Sequence, residues 1–238
     1  MRVVVSIGGS VLAPDLDESV VREHAAAVEE LLAADVSTGL VVGGGAVARD
    51  YILAARELGE NEIALDDMGI AVTRLNARLL IAALGDAAAP TPIESYDGGL
   101  EAMRRGDVPV LGGVAPGQTT DAVAAALAEY VEADLLVYAT SVPGVFTADP
   151  NEADDAEHIE SMTARDLVDV IVDTELVAGS SAPVDLLAAK LIERSGMRTI
   201  VLDGTAPGRI VDAVLRGAHD GTDVIPDGTA TELPAWNQ

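Results

Sequence analysis

The 238-residue chain has no cysteine, only 3% aromatic residues and, among 14 basic residues, a single lysine, Lys190. Without cysteine there is no disulfide framework, no thiolate metal site and no cysteine nucleophile, and an intracellular, cytoplasmic protein is expected. Lys190 is followed by Leu191, so the Gly-Lys-Ser/Thr end of a Walker A loop cannot be assembled and P-loop chemistry is excluded. His24, His158 and His219 lie far apart, with no partner at metal-ligand spacing; each reads as a surface or capping residue. No 18-residue uncharged apolar run occurs, and Met1 to Ile7 enters a strand without a basic leader or cleavage site. No membrane targeting is expected.

What is present is acid. Asp and Glu number 40 against 14 Lys and Arg, for a formal net charge of −26 and a pI near 4.1. Nucleic acid and anionic membrane are poor partners for such a surface. At 49% hydrophobic, the chain is nevertheless unlike a disordered, highly charged polypeptide. Self-repulsion of this size opposes compaction in dilute salt, whereas at about 1 M salt the Debye length shrinks to roughly 3 Å. Loss of lysine and use of Ala and Val in apolar positions fit the same reading, adaptation to a very salty cytoplasm.

Apolar runs that end in glycine and are followed by helical periodicity recur along the chain, which predicts an α/β protein with a parallel sheet. Strands are expected at Arg2 to Ile7, Thr38 to Val42, Val108 to Leu111, Leu135 to Ala139, Thr199 to Leu202 and Val224-Ile225. Helices are expected at Leu16 to Ala34 (capped by Asp15 or Asp17), Ala46 to Leu58, Asp66 to Leu84, Asp121 to Val131, Thr163 to Val172, Asp185 to Ser195 and Arg209 to Leu215. Asp66-Asp67 would complement the helix dipole at the start of theirs, and Pro143-Gly144 reads as the tight turn of a β-hairpin. One domain over 1–226 with a polar tail at 227–238 accounts for the length.

Three expected strands end in consecutive glycines: Gly8-Gly9, Gly43-Gly44-Gly45 and Gly112-Gly113. In an open α/β sheet ligands bind beyond the carboxyl ends of strands, glycine lets the backbone approach closely, and a following helix start offers unpaired N–H groups to an anion. Three such loops point to several phosphates, although each alone is also an ordinary turn. Gly43 to Ala48 also fits Gly-x-Gly-x-x-Ala, with Asp66 where a ribose-binding acid of a dinucleotide enzyme would be sought; that reading leaves the other two loops unexplained. Thr119 and Thr120 put two hydroxyls at a helix start, Thr120 as the cap and Thr119 for a ligand, or both as a structural cap cluster. Arg49, one turn into the helix after the triple glycine, can reach a phosphate there.

Together, Ile7-Gly8-Gly9-Ser10, Val42 to Gly45 with Ala48-Arg49, Gly69-Ile70 with Thr73-Arg74 and Asn76-Ala77, Gly112-Gly113 with Pro116-Gly117 and Thr119 to Ala125, and Gly144 to Pro150 resemble the archaeal-type uridylate kinases of the amino acid kinase superfamily. Gly179-Ser180-Ser181, Asp185, Ala188 to Lys190 and Ser195-Gly196 continue the likeness. The resemblance implies an αβα sandwich around a mainly parallel sheet of about eight strands, a homo-oligomer (a hexamer), and transfer of the γ-phosphoryl group of Mg-ATP to UMP. It implies Gly9, Ser10, Gly45 and Arg49 at the ATP phosphates, and Thr140, Phe146 and Asp149 at the nucleoside half. Gly44, Asp66, Val114, Ala115, Pro116, Gly117, Gln118, Thr119 and Thr120 would hold UMP. Asp185 matches a position that organises the phosphoryl group, and it and Arg49 are the expected catalytic residues.

Chemistry independent of the resemblance agrees. A phosphate acceptor with a second pKa near 6 is largely ionised at pH 7 and needs no general base; what it needs is alignment and compensation of negative charge. The sequence departs from the family where Ser6, Ala46 and Ala182 stand at frequent lysine positions and Pro143 at a frequent aspartate. The cation at the transferring group is therefore unassigned; Lys190 reads as a helix-surface residue. Two alternatives are kept: another small-phosphate kinase of the isopentenyl phosphate kinase type, which usually has a His in the region after the triple glycine where this chain has Ala46 to Arg49, and a catalytically silent nucleotide-binding protein.

Overall fold

In a computed structural model of the chain, residues 1–148, 153, 156–175 and 184–227 are described, with only the backbone of 173–175. Asp149, Ala182 and nearly all of the tail lie outside the described residues. Strand β1 (Arg2–Ile7) pairs in parallel with β2 (Ser37–Val42) on one side and β4 (Leu135–Thr140) on the other, with Val5 level with Leu40 and Val137. With β3 (Val110–Leu111), β7 (Ser161–Thr163), β8 (Thr199–Asp203) and β9 (Thr222–Ile225) they form one sheet in the order β3-β2-β1-β4-β8-β9-β7. Only the β8–β9 pairing is antiparallel. A separate ribbon pairs β5 (Val145–Phe146) with β6 (His158–Ile159). Among the described residues the main sheet has seven strands, where about eight were expected, and Pro143-Gly144 precedes β5 instead of turning the hairpin.

Strands buried on both faces explain the unbroken runs of Val, Leu and Ile in β1, β2 and β4. One face is covered by α2 (Glu18–Ala33), α4 (Glu62–Leu84) and α9 (Gly208–Arg216), through Val28, Leu31, Leu80 and Val214. The other is covered by α5 (Tyr96–Arg105), α6 (Thr120–Tyr130), α7 (Ala164–Glu175) and α8 (Leu186–Ser195), through Met103, Leu127, Leu167 and Ile192. Short α1 (Gly9–Leu12) follows β1, and α3 (Gly45–Glu57) follows β2. This is the αβα sandwich. By length and composition α4 is apolar enough to cross a membrane, yet its Leu65, Val72, Ala77, Leu80 and Leu84 are buried in the protein.

Three expectations are corrected. Helix α4 starts four residues early, capped by Asn61, whose side chain accepts from the Ala64 N–H at 3.2 Å; Asp66 and Asp67 therefore lie beyond its first turn and do not complement its dipole. Helix α5 is not among the expected helices, because Gly98-Gly99 in its first turn reads as a break; its Ser95 cap and closing Gly106 at φ 89° hold it. His24 is not at the surface but 0% exposed, and burial drops its pKa to about 4, so the ring is neutral.

Candidate active site

The three glycine loops follow β3, β2 and β1, which are neighbours in the sheet, and Thr140 at the end of β4 comes next. From β3 to β4 is three strand spacings, roughly 14 Å, a span suited to two nucleotides placed phosphate to phosphate. The β1–β4 boundary is the topological switch point, since β2 and β3 are laid down on one side of β1 and β4 on the other.

Backbone contact locks the first two loops together. A Cβ on Gly9 would lie 2.2 Å from the Gly45 nitrogen and 2.5 Å from the Gly43 carbonyl oxygen, so only glycine allows the approach. Gly45, at φ +66°, turns the chain into α3. The first N–H groups of α3 have no intrahelical acceptor and face an anion favourably. Arg49 is exposed, and among the described residues it makes no hydrogen bond or ion pair. Its guanidinium is thus available beside the start of α3.

The third loop is braced by side chains. Asp66 accepts from the Gly117 N–H at 2.8 Å, leaving its other oxygen for a hydroxyl. Gln118 accepts from the Tyr96 hydroxyl at 3.1 Å. Thr119, and not Thr120, is the cap of α6: its hydroxyl accepts from the Ala122 N–H at 3.1 Å and donates to Asp185. The expected division of labour between the two threonines is thereby reversed, and Thr120 is the first helical residue. Val114, Ala115 and Pro116 line the loop before Gly117.

Asp185 caps α8, its Oδ1 accepting from Leu187 N at 2.7 Å and Ala188 N at 3.0 Å. With Thr119 on its other oxygen, it ties α8 to the start of α6. Next to it stands Asp121, which sequence reasoning used only as a helix boundary. Packed among protein atoms with one face left open, Asp121 has its pKa raised to about 7, first by desolvation and then by the charge of Asp185, while the Ser6 hydroxyl opposes the shift. Tyr138 donates to the Asp121 carbonyl at 2.8 Å, and burial with both carboxylates nearby pushes the Tyr138 phenol well above its usual range. The sequence signal for Asp121 was available: Ala122 to Ala128 is almost wholly small and apolar, so the helix is buried and the acid at its start must be deep.

At the far side, the Thr140 hydroxyl is used in a local turn with Val142, and Phe146 packs on His158 with ring centroids 5.2 Å apart. Lys190 lies on the exposed face of α8, paired with Glu193 at 2.9 Å. The dinucleotide reading fails on position, since Asp66 belongs to the second turn of α4 and not to a strand end.

Fold and site together define a nucleotide-handling α/β protein with phosphate loops along one sheet edge. The family model for the amino acid kinase family matches residues 1–203. The chain is 72% identical over 236 residues to "Uridylate kinase" of Halobacterium salinarum, covering 99% of this chain and 98% of that protein. It is 67% identical to that of Haloarcula marismortui, covering 95% and 100%. The crystal structure of uridylate kinase from Archaeoglobus fulgidus superposes with a TM-score of 0.83 at 42% identity, over 94% of this chain and 100% of that one. The chain therefore belongs to the amino acid kinase family and, within it, to the uridylate kinases.

Proposed function

We infer that the chain transfers the γ-phosphoryl group of ATP to UMP, giving ADP and UDP for pyrimidine nucleotide synthesis. What supports this reading above all is the row of three glycine loops on adjacent strand ends in a chain alike over its full length to proteins named uridylate kinase. On the donor side, Gly9, Ser10, Gly45 and Arg49 bind the ATP phosphates, and Thr140, Phe146 and Asp149 its nucleoside half. On the acceptor side, Gly44 and the Val114 to Thr120 loop bind UMP, with the free Asp66 oxygen accepting from a ribose hydroxyl. An ionised oxygen of UMP bonds to the γ-phosphorus as the bond to the β–γ bridging oxygen breaks, and ADP leaves with that electron pair. No residue has to remove a proton.

Among the described residues no group of three or more acids and histidines could cage a metal. Asp121 and Asp185 supply oxygen donors only, which fits Mg²⁺, an ion that takes one or two carboxylates together with substrate phosphates. Those two residues would hold it. Held there, it would supply the positive charge that Ser6, Ala46 and Ala182 do not.

The deciding assay is a panel of UMP, CMP, AMP and isopentenyl phosphate with Mg-ATP in molar KCl. UMP is phosphorylated far faster than the rest; comparable rates would overturn the assignment, and binding without turnover would favour the silent-protein alternative. We also propose a homo-oligomer, hexameric by family resemblance, in the cytoplasm, with 1–226 as one domain and no nucleic-acid or membrane partner. Tyr51, Leu53, Leu58, Ile63, Leu75 and Leu79 on and between α3 and α4 are exposed, and exposed apolar side chains on this helix pair suit a second copy. A monomer in sedimentation would refute that.

A further inference from the structure

One turn of α4 grips two of the three loops at once. Asn76, 4% exposed, donates from Nδ2 to the Gly43 carbonyl at 2.8 Å and to the Gly44 carbonyl at 3.3 Å. Thr73, 7% exposed, donates its hydroxyl proton to the Ile70 carbonyl at 2.7 Å and accepts from the Gly113 N–H at 2.7 Å. Arg74 adds a bond from Nε to the Gly113 carbonyl at 3.3 Å. A Cβ on Gly112 would lie 2.4 Å from the Thr73 hydroxyl oxygen, so the diglycine is what lets the loop close onto the helix.

The bonds to Asn76 also orient the first of these loops. In a trans peptide C=O and N–H point in opposite directions. Holding the Gly43 and Gly44 carbonyls against α4 therefore turns the N–H groups of Gly44 and Gly45 away from α4, toward Gly9 and the cleft. The amide hydrogens of Asn76 and the one hydroxyl proton of Thr73 are engaged in these bonds, so neither side chain has a proton left to donate to a substrate.

We propose that Asn76 and Thr73 are positioning residues that fix the separation between the triple-glycine loop and the Gly112-Gly113 loop, and so the in-line alignment of the two bound phosphates. The inference rests on the UMP kinase reading for its substrates. Because both residues sit on one rigid helix three positions apart, the helix is the spacer: it carries donor-side amides at one end of the grip and the acceptor loop at the other.

The experiment compares Thr73→Val, Thr73→Ser and Asn76→Asp with the parent protein in molar KCl, measuring kcat, the melting temperature, and the dissociation constants of UMP alone and of a non-hydrolysable ATP analogue alone. Thr73→Val keeps the shape and loses the acceptor for Gly113; Thr73→Ser keeps the hydroxyl. Thr73→Val is expected to lower kcat about tenfold or more while each nucleotide alone binds within about threefold of the parent, and Thr73→Ser to stay within about threefold in kcat. Asn76→Asp, which sets a carboxylate oxygen against two carbonyls, is expected to cost about a hundredfold in kcat. Equal losses in Thr73→Val and Thr73→Ser, or an unchanged kcat in Thr73→Val, would overturn the proposal. Should Asn76→Asp not fold, the threonine pair decides alone. Should the parent protein fail to phosphorylate UMP, the substrate reading falls separately; the effect of bound UMP on affinity for the ATP analogue then decides, its loss in Thr73→Val supporting the grip and its persistence refuting it.

Discussion

Two parts of the cleft meet phosphate in opposite ways. On the β1–β2–β3 side the groups are neutral amides, helix starts and one unpaired arginine; where β1 and β4 meet α6 and α8 they are two carboxylates, Asp121 and Asp185, with a serine at position 6 beside them. The first part attracts anions unaided. The second repels them until a cation intervenes, and among the described residues the only lysine points elsewhere. On the proposed reading the work is divided: backbone geometry would bind and align the phosphates, and compensation of the charge that develops in transfer would fall to the metal that Asp121 and Asp185 are proposed to hold.

The neutral side is broken most severely at Gly9. In Gly9→Ala the new methyl group would sit 2.2 Å from the Gly45 nitrogen, a backbone atom that cannot rotate away. The two loops must part, and a shift of about 1 Å at a phosphate site is worth about a hundredfold in rate. We expect activity to fall at least that far with the sheet intact by circular dichroism; near-parental kcat would show that the loops need not touch.

Asp121→Asn tests the acidic side. The raised pKa means that in the free protein Asp121 is ionised only above about pH 7, so kcat/KM for Mg-ATP should rise with pH through that value in the parent and lose this limb in the variant, with a large fall in kcat. Stability changes in the opposite sense. From about the ordinary carboxyl value of 3.8 up to about 7 the folded state holds a proton that the unfolded chain has released, so stability falls as pH rises across this window and is flat above it. Asn removes that slope. His24, whose lowered pKa makes stability fall as pH drops from the ordinary imidazole value of 6.5 toward about 4, acts alike in both proteins and cancels in the comparison. Identical pH slopes would mean that Asp121 is an ordinary carboxylate.

Much of this was legible in the residues. The glycine runs marked the strand ends and the close approach of the loops, because glycine there has no substitute, and apolar strands marked the parallel sheet. What escaped depended on contacts between distant segments. Asp121 looks like any acid at a helix start until α6 is found buried and Asp185 arrives from 64 residues away. Thr119 and Thr120 are equivalent as letters; backbone angles decide which one caps. Helix α5 hides behind two glycines, and the start of α4 behind an Asn61 cap outside the apolar repeat. The single missing charge, by contrast, was plain from the sequence as an absence, at Ser6 and Ala46.

Arg49→Ala is the intermediate case. It removes the unpaired cation of the neutral side and should weaken ATP binding about tenfold, in line with a charge-assisted hydrogen bond in a salt-screened cleft. Unchanged nucleotide affinity would leave the amides as the whole of the phosphate site.

The smallest effect is expected at Lys190, and it bears most directly on the division of labour. Its ammonium lies on the exposed face of α8, 2.9 Å from Glu193 three residues on. A surface pair of that kind contributes roughly 0.2–1 kcal/mol in dilute buffer and less in molar salt. Lys190→Ala should therefore shift the melting temperature by no more than about a degree or two and leave kcat within about twofold. If kcat instead collapsed while stability held, α8 would have to swing its lysine into the cleft during turnover. The acidic side would then carry its own cation, and the contrast between the two sides would disappear in the active state.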